Sequence, residues 1–229
     1  MTRLDVVLVK KKLISSRSRA QRAVKLGFVI VNGRVINKPS FQVMPSDVIT
    51  VDATADKPSG YWKLKQIQNA CTLIEAGDKV LDIGASAGGF MLYALEFAKS
   101  VYALEFSASF KRKLDQIASQ YPGKATVLHA DAFAYDFRHF AGYFDVILND
   151  VTVEPDASLR LLARCLIALK VGGRVLQVLK GKMSEETLDR FKSSVEDMGF
   201  DILCSLTSQK DEVFIIGEKK AGLNAEEGI

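Results

Sequence analysis

Residues 80–90, VLDIGASAGGF, carry an apolar run into a glycine-rich turn and then into a second apolar stretch. A strand, turn and helix start of this kind lets a ligand approach the backbone at the glycines. It also aims free N–H groups at a bound polar or anionic group. The spacing is not G-x-G-x-x-G, and no Gly-Lys-Ser/Thr follows, so neither a dinucleotide fingerprint nor a phosphate-binding P-loop is present. The turn does satisfy G-x-S-x-G, which would make Ser86 a hydrolase nucleophile. That chemistry needs a histidine late in the chain, after an acid. The two histidines, His129 and His139, precede the fourth and fifth strands of the expected sheet, which argues against it.

The elements that must position this turn read as alternating strands and helices over residues 61–220. Strands are expected at Lys79–Ile83, Ser100–Glu105, Ala125–Leu128, Phe144–Asn149, Gly173–Leu179, Asp201–Leu206 and Glu212–Glu218. Helices are expected at Gly89–Ala98, Ala108–Gln120, Asp156–Leu169 and Ser184–Met198. Such alternation predicts an α/β fold with a mostly parallel, seven-stranded sheet covered on both faces. The connection from about Thr207 to Asp211 is too short for a parallel crossover, so the last strand should run antiparallel, as in a class I (Rossmann-like) methyltransferase. Three carboxylates then fall at strand ends in order. Glu105 would accept both ribose hydroxyls of a nucleoside cofactor, Asp131 an adenine amino group, and Asp82 would orient the glycine-rich loop. Together they point to S-adenosylmethionine.

The first fifty residues differ in character. They hold ten Lys and Arg against Asp5 and Asp47, a charge of +8, which leaves −4 for the other 179 residues of a chain whose total is +4. A basic head on a mildly acidic body suggests a polyanionic partner. The head reads as folded. Leu4, Val7, Leu8 and Leu13 follow helical spacing. Ser15 or Ser16 caps a second helix that Gly27 ends, and Asn32-Gly33 turns a hairpin between Phe28–Val31 and Val35-Ile36. Another short strand covers Val48–Val51. Arg19 and Arg22 share a helix face, with Arg17 beside them. The small, polar stretch 53–60 reads as a linker, which divides the chain into a head over 1–52, a body over 61–220 and a flexible tail over 221–229.

Arg3-Leu4-Asp5, Ser16-Arg17-Ser18-Arg19-Ala20, Gly27 to Gly33 and Lys38-Pro39-Ser40 resemble the S4-type RNA-binding domain. The resemblance implies that Arg3, Ser16, Arg17, Arg19, Arg22, Lys25, Asn32 and Lys38 face structured RNA. In the body, Asn149-Asp150-Val151-Thr152 ends the fourth strand without the Pro-Pro-aromatic expected of amino-methylating enzymes. None of the three cysteines follows a proline, as a cytosine-C5 nucleophile would. Hydroxyl methylation remains. The body resembles the FtsJ-like ribose 2′-O-methyltransferases, whose Lys-Asp-Lys-Glu tetrad maps onto Lys63, Asp150, Lys180 and Glu212. A ribose hydroxyl is a poor nucleophile, so oxygen, methyl and sulfur must be held in line while a base takes the proton. Lys180 would be that base, and a neighbouring ammonium, Lys63, favours the neutral amine it needs.

The two resemblances together cover the chain to about residue 219 and are those of the TlyA (haemolysin A) family. That family implies an S-adenosylmethionine cofactor held by Asp82, Gly84, Ala85, Ser86, Gly88, Gly89, Phe90, Glu105, Asp131 and Asp150. It also implies 2′-O-methylation of ribosomal RNA or ribosomal subunits, with cytidine the usual target. Two departures stand out: Lys63 lacks a preceding Ser-Arg-Gly-Gly, and Lys180-Gly181-Lys182-Met183 replaces Lys-Pro-Gln-Phe.

Composition excludes other classes. A chain of 229 residues, 48% hydrophobic and 25% charged, is neither disordered throughout nor membrane-spanning, because no apolar run reaches the ~18 residues a span needs. Residues 1–12 are too weakly apolar for a signal peptide. Cys71, Cys165 and Cys204 form no CxxC pair, so reduced thiols, no metal site and a cytoplasmic location are expected. Two rivals remain for the function: an idle RNA-binding assembly factor and a small-molecule O-methyltransferase.

Overall fold

The computed structural model describes residues 1–208 and 211–221, in two compact units, Met1–Ser59 and Gly60–Ile229. The tail expected at 221–229 lies, apart from Ala221, outside the described residues.

The head unit opens with β1 (Thr2–Arg3), α1 (Leu4–Lys10) and α2 (Arg17–Lys25). Short strands follow: β2 (Val29–Val31), β3 (Arg34–Val35), β4 (Gln42–Val43) and β5 (Ile49–Val51). The Ser16 hydroxyl accepts the Arg19 N–H and caps α2. Asn32 and Gly33 both take positive φ, 49° and 78°, the requirement of a tight hairpin turn between β2 and β3. Leu4, Leu8, Ala20, Ala23, Val24 and Val29 form the core. One expectation fails here: Leu13 is exposed, and Ile14 fills the core place instead. The chain leaves α1 through Lys12 at φ 57°, which breaks the helical spacing before Leu13 is reached.

Residues 52–58 are not a free linker. Ala55 is buried, the Asp56 carboxylate accepts both the N–H and hydroxyl of Ser15, and Arg19 and Arg22 each donate to a backbone carbonyl, those of Asp56 and Lys57 (2.6 Å each). Small, polar composition signalled a loop; the arginine contacts that fold it back came from 35 or more residues away.

The body begins with α3 (Ser59–Ala70), which went unread because its first two residues look like linker. It continues β6 (Lys79–Ile83), α4 (Gly89–Ala94), β7 (Ser100–Leu104), α5 (Ala108–Gln120), β8 (Ala125–Leu128) and β9 (Phe144–Asn149). Then come α6 (Pro155–Cys165), β10 (Leu169–Lys180), α7 (Glu185–Asp197), β11 (Phe200–Thr207) and β12 (Glu212–Lys219). The sheet order is β11-β12-β10-β9-β6-β7-β8. Strands β6 to β10 are parallel, and β12 runs antiparallel to both β10 and β11. This is the expected class I methyltransferase sheet.

Strand alternation sends Val80, Val146, Leu148 and Val178 to a core shared with α3, α4 and α5. Leu81, Ile83, Ile147 and Leu179 go to the other, shared with α6 and α7. Burial on both faces explains the near-continuous apolar runs of the central strands. Cys165 is a buried free thiol, pushed up to about 12 by burial. Cys71, just past α3, and Cys204, on β11, are joined as a disulfide across a Cα separation of 6.5 Å. The expectation of three reduced thiols therefore holds only for Cys165. Sequence separation of 133 residues hid the pairing.

Candidate functional site

A cleft of about 290 Å³ opens at the carboxyl ends of β6 to β9, near the lower end of small-molecule sites. Gly84, Glu105, Phe106, Asp131, Phe133 and Asp150 are among its walls. Gly84 follows β6 at φ 82°, and a Cβ there would stand 3.1 Å from the Val151 side chain. A glycine is thus required both for the turn and for its approach to the segment after β9.

Glu105 has a part beyond the expected one, and Asp82 lacks contact with the turn it was expected to orient. Glu105 clasps the glycine-rich turn: its carboxylate accepts the Ser86 N–H at 2.7 Å and the Ser107 N–H at 2.6 Å. Each oxygen retains a further lone pair for a ligand hydroxyl. Asp82, expected to orient that turn, is fully buried, and neither oxygen makes a full hydrogen bond. Burial, then the charge of Asp150, pushes its carboxyl up to about 8, with the Met91 N–H acting weakly in the other direction. Asp131 lies at the cleft wall, where its Oδ1 accepts the Phe133 N–H.

Of the expected cofactor residues, Gly84, Glu105, Asp131 and Asp150 line the cleft. Ala85 and Phe90 are instead part of the core, Ser86 supplies an N–H to Glu105, and Gly88 is the left-handed cap of α4. Gly89 is a packing residue. A Cβ there would sit 2.7 Å from Gly60 Cα and 2.8 Å from Tyr61 N, so at this point α3 and α4 meet backbone to backbone.

Beside the cleft, the structure brings Lys63, Asp150, Lys180 and Glu212 together. Lys63 is on α3 between the buried Tyr61 and Leu64, and its Nζ donates to Asp150 Oδ2 at 3.0 Å and to Glu212 Oε1 at 2.9 Å. The same ammonium lies over the rings of Phe90 and Phe214, 5.7 and 5.9 Å from their centroids. Lys180 Nζ is 3.1 Å from Asp150 Oδ1, an ion-pair contact without hydrogen-bond alignment. It donates to the Asp150 carbonyl at 3.2 Å and to the Thr152 hydroxyl at 2.5 Å. Lys180 and Glu212 are register partners on β10 and β12. Reversal of β12 is what returns its first residue to the carboxyl end of the sheet. Thr152 was missed in the sequence; its signal is the position two residues beyond a strand-end acid.

In the head, the expected RNA-facing residues divide. Asp5 is buried and gathers Arg3, Arg17 and Gln21, led by the Arg3 hydrogen bonds that hold its carboxyl well below the usual range. Arg19 and Arg22 hold the segment at 56–57, Ser16 caps α2, and Asn32 binds Asp47 and the Val48 N–H. Lys25 and Lys38 are exposed.

The cleft fits S-adenosylmethionine. Glu105, Asp131 and Asp150 offer acceptors to its hydroxyl and amino groups, and the rings of Phe106 and Phe133 offer flat walls. A mostly parallel sheet with a reversed β12, an acid-edged glycine turn and this cleft define a S-adenosylmethionine-dependent methyltransferase. More particularly, the chain belongs to the FtsJ-like methyltransferase family, whose profile matches residues 59–219, and it carries an S4 domain over residues 2–49.

Among its relatives is the ribosomal RNA large subunit methyltransferase E of Methanothrix thermoacetophila. It is 26% identical over 184 residues, 71% of this chain and 69% of that protein. The small ribosomal subunit protein uS4 of Nitrosospira multiformis is 43% identical over 63 residues, 28% of this chain and only 29% of that protein, so the likeness is confined to one part of each. In fold, the chain is similar to a Streptococcus thermophilus protein named as a hemolysin. The TM-score is 0.58 at 22% identity, over 96% of this chain and 88% of the other. Among the described residues, no helix is long and apolar enough to cross a membrane, and no cluster of His, Cys, Asp and Glu is placed to hold a metal ion.

Proposed function

We propose that this chain methylates the ribose 2′-oxygen of ribosomal RNA, with cytidine as the target nucleotide and Lys180 as general base. One observation carries the reading: Asp150, a wall of the cofactor cleft, also holds the amino groups of Lys63 and Lys180 on its two oxygens. The acceptor's activating group is thereby set at the edge of the cofactor site.

Bound S-adenosylmethionine would supply an electrophilic methyl on a sulfonium. The chain's part is to place a hydroxyl in line and take its proton. A neutral Lys180 amine has two hydrogens, and the structure gives acceptors to both, the Asp150 carbonyl and the Thr152 hydroxyl. Its lone pair is the position left for the substrate hydroxyl. As the oxygen–methyl bond forms and the sulfur–methyl bond breaks, the hydroxyl proton passes to Lys180. Lys63 and Glu212 hold Asp150 in place. The S4 domain and the ribosomal names of the relatives support RNA in a ribosomal particle as the acceptor.

The test is methyl transfer from radiolabelled S-adenosylmethionine to ribosomal subunits, with digestion to nucleosides. Label on a ribose, and its loss in Lys180→Ala and Lys180→Arg with fold and cofactor binding intact, is expected. Label on a base, or near-normal turnover in both variants, overturns the reading.

A further inference from the structure

Three side chains of the body form a polar cluster sealed inside an otherwise apolar layer. Gln177 on β10 is 0% exposed, Asn149 at the end of β9 is 1% and Ser158 on α6 is 2%. Asn149 and Gln177 are register partners on neighbouring parallel strands. The Asn149 side-chain amide donates to Gln177 Oε1 at 2.9 Å, and the Ser158 hydroxyl donates to the same oxygen at 3.0 Å. Asn149 Oδ1 in turn accepts the Val151 N–H at 3.4 Å. The Gln177 Nε2 group, by contrast, is buried with no acceptor. A buried donor left unmet destabilises a fold, and an apolar residue of the same shape avoids that cost. Packing alone therefore does not account for an amide at this position.

What the amide oxygen does is geometric. Asn149 precedes the segment Asp150–Glu154, and Ser158 follows it in the first turns of α6. Gln177 grips both ends of that segment from the strand that three residues later ends in Lys180. The segment carries Asp150 and Thr152, the groups to which Lys180 Nζ is tied. We propose that Gln177 is a positioning residue for methyl transfer: its carboxamide clamps the Asp150–Glu154 segment to β10, so that the Thr152 hydroxyl and Asp150 hold the Lys180 amine in one direction. Thr152 is the residue through which the clamp acts on that amine. The inference rests on the reading of Lys180 as base.

Two measurements on the full chain test it. In steady-state methylation of ribosomal RNA, Gln177→Met, which keeps volume and removes the amide, is expected to lower kcat about ten- to hundredfold. Gln177 lines neither binding surface, but the segment it clamps walls the cofactor cleft, so kcat is read at saturating S-adenosylmethionine, and KM for RNA should stay within about twofold. Thr152→Val should fall comparably, and Thr152→Ser, which keeps the hydroxyl, should remain near the parent. The double variant Gln177→Met/Thr152→Val should be no slower than the slower single one. An unchanged kcat in Gln177→Met, or losses that multiply in the double variant, overturns the clamp.

The second measurement needs no turnover. Acetylation by acetic anhydride, followed by mass spectrometry, gives the reactivity of Lys180 relative to its neighbour Lys182. Release of the amine in Gln177→Met should raise that ratio, and an unchanged ratio overturns the clamp. Should Gln177→Met not fold, Ser158→Ala, which removes one of the two bonds to the same oxygen, replaces it in both measurements. Methylation of a base, or turnover in Lys180→Ala, would refute the base assignment while the acetylation ratio still decides the clamp.

Discussion

Lys63 and Lys180 sit on opposite oxygens of one carboxylate. Lys63 Nζ is 3.0 Å from Asp150 Oδ2, and Lys180 Nζ is 3.1 Å from Asp150 Oδ1. Two amines on α3 and β10, from 117 residues apart in the chain, share this carboxylate, and Lys63 has a second one in Glu212. Removing the Asp150 charge leaves Glu212 to hold Lys63 and takes away the carboxylate that Lys180 faces. Asp150→Asn is therefore expected to lower kcat by at least about a hundredfold, the scale of a misplaced general base. Glu212→Gln, which loosens Lys63 alone, should cost roughly tenfold. Single-turnover rates at saturating cofactor are the measurement, and equal losses in both variants would contradict the central place of Asp150.

Asp82 gives the body a pH dependence of defined sign. Its carboxyl is raised by burial to about 8 in the folded state, against roughly 3.9 when unfolded. Between those values the folded chain holds a proton that the unfolded chain has lost. Stability from this group is fully present below about pH 4 and declines as the pH rises towards 8, by about 1.4 kcal/mol per pH unit at most. Urea unfolding of the parent and Asp82→Asn across this range should show a stability difference that moves steadily in favour of the variant. A pH-independent difference would show that Asp82 is ionised in the fold.

The head makes a prediction about which cations meet RNA. Arg3 and Arg17, though partly exposed, are each tied by an ion pair to the buried Asp5, and Lys25 and Lys38 are exposed. Lys25→Ala and Lys38→Ala should each weaken RNA binding and reduce its logarithmic salt slope by about one. Arg17→Ala should chiefly lower the melting temperature of the head. Filter binding at several salt concentrations decides this, and unchanged slopes for both lysine variants would move the RNA surface elsewhere.

The Cys71–Cys204 bond predicts a thiol count. Under denaturing conditions without reductant, titration should find one thiol, Cys165, and after reduction three. Reduction removes a crosslink over 133 residues, worth up to about 5 kcal/mol in the chain-entropy account, and should lower Tm accordingly. Three thiols without reductant would refute the bond.

Local pattern carried the sheet and most of its helices, because strand alternation, capping serines and a hairpin dipeptide act within a few residues. Strands Lys79–Ile83, Ala125–Leu128 and Phe144–Asn149 stand where they were expected. The errors arise where distant partners decide. Arg19 and Arg22 fold back residues that read as linker, and Ile14 displaces Leu13 once the chain turns at Lys12. Within the site, residue type identified carboxylates but not their duties, since Glu105 rather than Asp82 clasps the turn. Gln177 had no signal of its own, and Thr152 only its place two residues beyond a strand-end acid. Their meaning comes from register between β9 and β10, which no single segment contains.

The backbone contact between Gly89 and Gly60 joins the glycine-rich turn to the helix that bears Lys63. Gly89 belongs to the stretch that reads as cofactor-binding, yet what rests on it is the start of the helix that bears Lys63. A methyl group added there would push that helix away from Asp150 before it reached any ligand. On the proposed reading, damage at this glycine would present as a chain that still captures its cofactor and fails to use it, an acceptor-side defect written into a cofactor-side motif.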